Sequence, residues 1–244
     1  ALAITDLNSL FGAIKFYKAA RGAGVKPVIG ADVSVQGLGA DPAHIGRLLL
    51  LVQNRQGYLN LCELLARAWT RNVVRAQGVL TLEWLRELGE GLICLSGAQA
   101  GPVGQALVQG DAARAREAAL TLASVFPHRF YLEVQRAGRP DDETHVAGAA
   151  QLAASLRLPV VATHPVQFLT EDDYEAHEAR VCIAEGEILG NQRRVALVLL
   201  GVKGRLFRRL GLRALVQRLG LLPDLRGAGN CAERGLHLRR KHRP

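Results

Sequence analysis

The 244-residue chain is 49% hydrophobic and carries a formal net charge of +9, enough length and apolar content for one α/β domain with a full core. No apolar run approaches the ~20 residues that a membrane-spanning helix requires, so that class is excluded. Twelve Lys and Arg against Asp224 and Glu233 lie after Val195, which leaves the preceding residues close to neutral and excludes a basic nucleic-acid-binding domain spread over the whole chain.

The chain opens on a strand pattern that ends in Asp6. Asn8 or Ser9 can cap a helix carrying Leu10, Phe11, Ile14 and Tyr17 on one face, and Gly22 and Gly24 stop it. Lys26 to Val35 reads as a strand with a second acid, Asp32, near its carboxyl end, and Gly37 to Gly46 as a loop. Arg47 to Gln53 is a buried strand and Tyr58 to Trp69 a helix with Leu61, Leu64, Leu65 and Ala68 inward. Asn72 to Gly78 is a loop, Leu82 to Leu88 a short helix, and Leu92 to Ser96 a strand. Helices follow over Gly101 to Val108 and Ala112 to Val125. The strand Arg129 to Val134, the helix Asp141 to Leu156, the strand Leu158 to Thr163 and the helix Asp172 to Ala184 complete the pattern. Strands that are continuous apolar runs, alternating with helices, predict a mostly parallel sheet covered by helices. In such sheets ligands gather outside the carboxyl ends of strands, so Asp6 and Asp32 mark where a site belongs. Cys62, Cys94, Cys182 and Cys231 form no Cys-x-x-Cys pair, and the first three sit in apolar patterns, as buried thiols of a reducing cytoplasm do.

The run Ala3 to Val35 resembles the start of the PHP (polymerase and histidinol phosphatase) domain of bacterial DNA polymerase III alpha subunits. Leu48 to Leu61, with Asn54-Arg55-Gln56-Gly57-Tyr58, is similar to a later strand-turn-helix of that family. So are Gly91 to Gly97, Phe130 to Arg136, Leu158 to His164, and the helix with Ala176-His177-Glu178. The resemblance covers residues 1–195 and implies a distorted barrel of seven βα units that lacks its first strand here. The absence of Met and the opening on Ala1 within a strand point to a chain that begins part-way into a longer protein.

Active members of the family bind a cluster of metal ions at the strand ends, where metal-activated water hydrolyses phosphoesters. Position by position, the resemblance implies a degenerate site. The family's His-x-His would lie before Ala1. Its Thr-Asp-His reads Thr5-Asp6-Leu7, a Glu is replaced by Asp32, and a His by Arg47. Gly97 and Ala98 stand where a Cys is expected, and His164-Pro165-Val166-Gln167 replaces Asn-Asp-x-His. Asp6, Asp32, Arg47 and His164 are therefore vestigial positions, with no catalytic residue and no metal ligand assigned. Read on their own, Asp6 and Asp32 cap loops or pair with Arg47, and His164 is a hydrogen-bonded loop residue. His44, His128 and His145 are isolated, and Gly101-Pro102-Val103-Gly104 lacks the Lys-Ser/Thr of a phosphate loop.

The function that the resemblance implies is a part of the replicative polymerase alpha subunit. It would be structural, and would dock the separate proofreading exonuclease subunit. It would bind no cofactor itself, and would meet DNA only through a parent whose magnesium-binding polymerase site lies outside this sequence. The alternatives are a stand-alone metal-dependent PHP phosphoesterase, and a nucleic-acid or membrane-surface binder acting through residues 196–244. That Leu/Arg/Gly-rich tail reads three ways. It is a basic amphipathic helix with Leu212, Leu215, Val216 and Leu219 on one face, a disordered segment, or an out-of-frame reading of a GC-rich gene. The last is favoured, and resequencing is expected to reveal a shifted frame after Val195. An unshifted frame encoding this tail would remove the idea.

Overall fold

The computed structural model describes residues 1–38, 44–166 and 173–186. The readings at Asp172, Gln167 and Cys231, and those after Val195, lie outside these residues. Strand β1 (Leu2–Leu7) leads into helix α1 (Ala13–Gly22) and strand β2 (Pro27–Gln36). Then come β3 (Ile45–Val52), α2 (Arg55–Arg71), β4 (Val73–Val74), β5 (Gln77–Thr81), α3 (Leu82–Leu88), β6 (Leu92–Leu95), α4 (Pro102–Val108) and α5 (Ala112–Val125). The last elements are β7 (Phe130–Val134), α6 (Asp142–Leu156), β8 (Val160–Ala162) and α7 (Tyr174–Glu185).

The α/β class is as the sequence predicts. The strands form one sheet in the order β4-β5-β2-β3-β6-β7-β8, with β1 also on β2. The pairs β1–β2, β2–β5, β6–β7 and β7–β8 are parallel. Strand β3 runs antiparallel to both β2 and β6. A buried apolar run has no sequence mark of its direction, so this reversal was not readable. Among the described residues no pairing joins β8 to β1.

Residues opposite one another in a ladder share a face, and successive residues alternate. Ala31 pairs with Leu50, Val33 with Leu48, Leu50 with Cys94 and Cys94 with Phe130. All are fully or almost fully buried, and they form one core cluster with Leu61 and Leu64 of α2 and Ala119 and Leu122 of α5. The opposite face carries Asp32, Ser34 and Arg47, and by the same register Leu49, Leu95 and Tyr131. Helix α2 reaches the sheet closely because Gly57 meets Gly91 backbone to backbone. A Cβ on Gly57 would lie 1.9 Å from the Gly91 carbonyl oxygen.

Helix α1 departs from the expectation. It starts at Ala13 rather than near Ser9, and its buried residues are Ala13 and Ala20. Phe11, Ile14 and Tyr17 point outward, Phe11 being 96% exposed. Two small alanines let the helix lie flat on its neighbour, so the bulky residues that share a stripe face away from it. Its first turn is anchored by Asp6, whose Oδ2 accepts the Gly12 N–H at 2.6 Å. A carboxylate there also complements the helix dipole.

Asn8 holds a seam. Strand β2 pairs along one edge first with β1, up to Asp32, and then with β5, from Ser34. Asn8 fills the gap between them. Its Oδ1 accepts the Ser34 N–H at 2.8 Å and its Nδ2 donates to Ser34 Oγ at 3.1 Å. Its own N–H donates to the Asp32 carbonyl at 2.7 Å, and its carbonyl accepts Trp69 Nε1–H at 2.8 Å. Asn8 sits at φ +48°, a left-handed conformation that Asn tolerates better than most residues. Asn8→Ala is therefore expected to cost about 3 kcal/mol in urea denaturation, because it leaves buried Ser34 groups unpaired and strains the backbone. An Asn8→Ala chain as stable as the parent would show that the seam is held elsewhere.

Candidate functional site

The strand ends on the second face of the sheet carry the polar groups. Asp32 lies on β2 and Arg47 on β3, diagonal neighbours because Ser34 is the residue opposite Arg47. The Arg47 Nε–H donates to Asp32 Oδ1 at 3.0 Å, and a second guanidinium N–H donates to Oδ2 in a very short contact. The Asp32 side chain is 19% exposed and that of Arg47 43%. Burial pushes the Asp32 carboxyl above its ordinary value, and the Arg47 hydrogen bonds and charge pull it back only in part. A guanidinium this exposed gains little from pairing. Its removal, however, would leave a mostly buried carboxylate without a counter-charge.

Sequence reading missed the second carboxylate. Glu133, on β7, is 1% exposed. Its Oε2 accepts the Gly97 N–H at 3.1 Å, and its Oε1 accepts from Gln135 Nε2 at 3.1 Å and from the Thr163 hydroxyl. Gln135 also donates to Thr163 Oγ1 at 2.9 Å, and the Glu133 N–H donates to Ser96 Oγ at 2.9 Å. The carboxylate thus ties the ends of β6, β7 and β8. Gly97 is a requirement of this closure. It sits at φ +77°, and a Cβ there would lie 2.0 Å from the Arg47 carbonyl oxygen. Burial is the main cause raising the Glu133 pKa. The bonds from Thr163 and Gln135 oppose it, the negative charge of Asp32 adds to it, and the Gly97 N–H opposes it. Burial also pushes the Cys94 thiol far up, with Glu133 adding to the effect. One signal was available in the sequence: a lone acid inside the apolar run Phe130-Tyr131-Leu132-Glu133-Val134, where an unpaired charge is not tolerated.

The predicted positions do not all meet. Asp32 and Arg47 are in contact. Asp6 pairs in register with Ala31, a residue of the core face, and turns to α1, so it does not share the face of Asp32. Leu7, opposite Asp32 in the ladder, does. His164 follows Thr163 at the end of β8 with an exposed side chain. Among the described residues no three His, Cys, Asp or Glu side chains are arranged to hold a metal ion. Among the described residues the donors at the strand ends do not fit a metal cluster. Both Asp32 oxygens face a guanidinium, both Glu133 oxygens accept hydrogen bonds, and Leu7 offers none. Among the described residues no helix is long and apolar enough to cross a membrane.

These features define an α/β domain whose strand-end site has its carboxylates satisfied by protein groups. Residues 1–137 match the PHP domain family, and the chain belongs to that family. It is 43% identical over 194 residues to the DNA polymerase III subunit alpha of Pseudomonas aeruginosa, covering 80% of this chain and 16% of that protein. The same subunit of Neisseria meningitidis serogroup A is 51% identical over 200 residues, and that of Escherichia coli K12 44% over 196 residues, each covering 80% of this chain and 17% of the relative. The chain thus spans about one sixth of the length of these relatives, at 16–17%. A metal-dependent phosphoesterase from Bifidobacterium adolescentis aligns at 10% identity and a TM-score of 0.41, covering 74% of this chain and 84% of that one, a likeness too slight to carry weight.

The Glu133 knot sets a pH dependence. Its folded pKa lies above its ordinary value of 4.5, so the fold holds the proton more tightly than the unfolded chain. That contribution is complete below the unfolded value and is lost as pH rises through the folded one. Glu133→Gln removes the titration, and its stability should fall less than the parent's between about pH 5 and about pH 8. Glu133→Ala takes away the acceptor of the Gly97 N–H and of the Thr163 hydroxyl and should cost about 3 kcal/mol. Urea denaturation at both pH values is the measurement. Parallel profiles for Glu133→Gln and the parent would show that another group titrates.

Proposed function

We propose that this chain is the PHP-domain part of a bacterial replicative polymerase alpha subunit, acting as a metal-free scaffold that docks the proofreading exonuclease subunit. The observation that carries this reading is identity of 43–51% over 80% of the chain to DNA polymerase III alpha subunits. The state of the site supports the metal-free part. Water activation of the family's kind needs several ligands converging on open metal positions. Here the carboxylates face a guanidinium and a closed set of hydrogen bonds. The reading assigns no polymerase chemistry to these residues, since the magnesium-binding polymerase site would lie in the remainder of the longer protein. It places the protein in the cytoplasm, among the components of the replicative holoenzyme.

The chain, purified with the exonuclease subunit of the same organism, is expected to co-elute with it on size exclusion as a one-to-one complex. It should hydrolyse p-nitrophenyl phosphate no faster than buffer, with or without added manganese. Separate elution would remove the docking role. Manganese-dependent hydrolysis abolished by chelator would restore the phosphoesterase reading.

A further inference from the structure

Two largely buried carboxylates, Asp32 and Glu133, stand at the strand ends on one face of the sheet. Glu133 is served by hydrogen bonds alone. Asp32 is served by Arg47, through both of its oxygens. The guanidinium arrives from the one strand of the central sheet that runs against both neighbours. That reversal puts residue 47, near the start of β3, beside the strand ends rather than at the far edge. Gly97 admits the Arg47 backbone at a distance that any other residue would block. The site is thus built around the arginine, with its backbone seated on Gly97 and its head group on Asp32.

We propose that Arg47 is the resident cation of this site: its guanidinium supplies to Asp32 the positive charge that a bound metal ion would supply, so the strand ends hold together without divalent cations. The proposal rests on reading this edge as the counterpart of the family's metal site. It is independent of exonuclease docking, so failure of that interaction leaves it untouched. An arginine on a bidentate carboxylate is not equivalent to a lysine in geometry, but both are cations, and charge is what the proposal concerns. A cation of either kind should repel a divalent ion from Asp32, whereas a neutral donor at position 47 should admit one.

The test uses the full chain, freed of metal with EDTA and dialysed, as parent, Arg47→Lys and Arg47→His. Thermal melts at about pH 8, where an unperturbed His is neutral, are run with and without MnCl2, and free Mn2+ is counted by electron paramagnetic resonance. The parent and Arg47→Lys should melt at the same temperature with and without Mn2+ and should bind none in stoichiometric amount. Arg47→His should melt about 4 °C lower in EDTA, recover on addition of Mn2+, and bind the ion. If Arg47→His does not fold alone, refolding in Mn2+ is the readout: folded protein supports the proposal, and none overturns it. The proposal also fails if the parent gains stability from Mn2+, or if Arg47→His shows no response to it.

Discussion

Strand β2 cannot slip by one residue. On one edge β3 pairs Gly30 to Gln36, and on the other β1 pairs Pro27 to Asp32 and β5 pairs Ser34 to Gln36. Ala31, Val33 and Val35 belong to the helix-covered core, while Asp32 and Ser34 belong to the other face. A one-residue shift would exchange the two sets, driving a carboxylate and a hydroxyl into the core and three apolar side chains out of it. The seam at Asn8 fixes this register, because its side chain recognises both the backbone and the hydroxyl of Ser34. Register in turn places Asp32 diagonally across from Arg47. The ion pair is therefore a consequence of how the sheet is assembled, as is the separation of Asp6 from Asp32, which stand on neighbouring strands but on opposite faces.

Much of the element order was legible because periodicity and capping agreed. Helices α3 and α5 span the predicted residues, and α2 is extended at its start by Asn54, whose side chain accepts the Gly57 N–H. The hairpin β4–β5 was read as a loop for a definable reason. Its two turn residues, Arg75 and Ala76, both have positive φ, a geometry ordinarily announced by Asn-Gly or Asp-Gly. With neither dipeptide present, nothing in the sequence marked a turn there. Helix α1 failed differently. Its stripe of Phe11, Ile14 and Tyr17 has helical spacing, but spacing shows only that residues share a face, not which face is covered.

The site was legible to a lesser degree, and the reason is physical. Positions Asp32 and Arg47 are visible as an acid and a base near strand ends, yet whether they touch depends on strand direction, which apolar strands do not encode. Glu133 was passed over because a single acid in a strand of large apolar residues looks like an outward-facing side chain. Its partners Ser96, Gly97, Gln135 and Thr163 come from three separate segments, and no local pattern links them. The positive φ at Gly97, which lets β6 close on β3, likewise becomes meaningful only once the neighbouring strand is known.

The two carboxylates show different ways of keeping an acid inside a protein. Glu133 is enclosed and relies on three directional donors, an arrangement that changes little with ionic strength because its partners are neutral dipoles close to it. Asp32 relies on a full charge whose carrier is almost half exposed, so its stabilisation is open to screening by salt. The negative charge of Asp32 also disfavours ionisation of Glu133. Neutralising Asp32 through Arg47 therefore eases the burial of Glu133 as well. One surface guanidinium in this way serves two acids, only one of which it touches, and its charge acts across strands that the sheet already joins through their backbones.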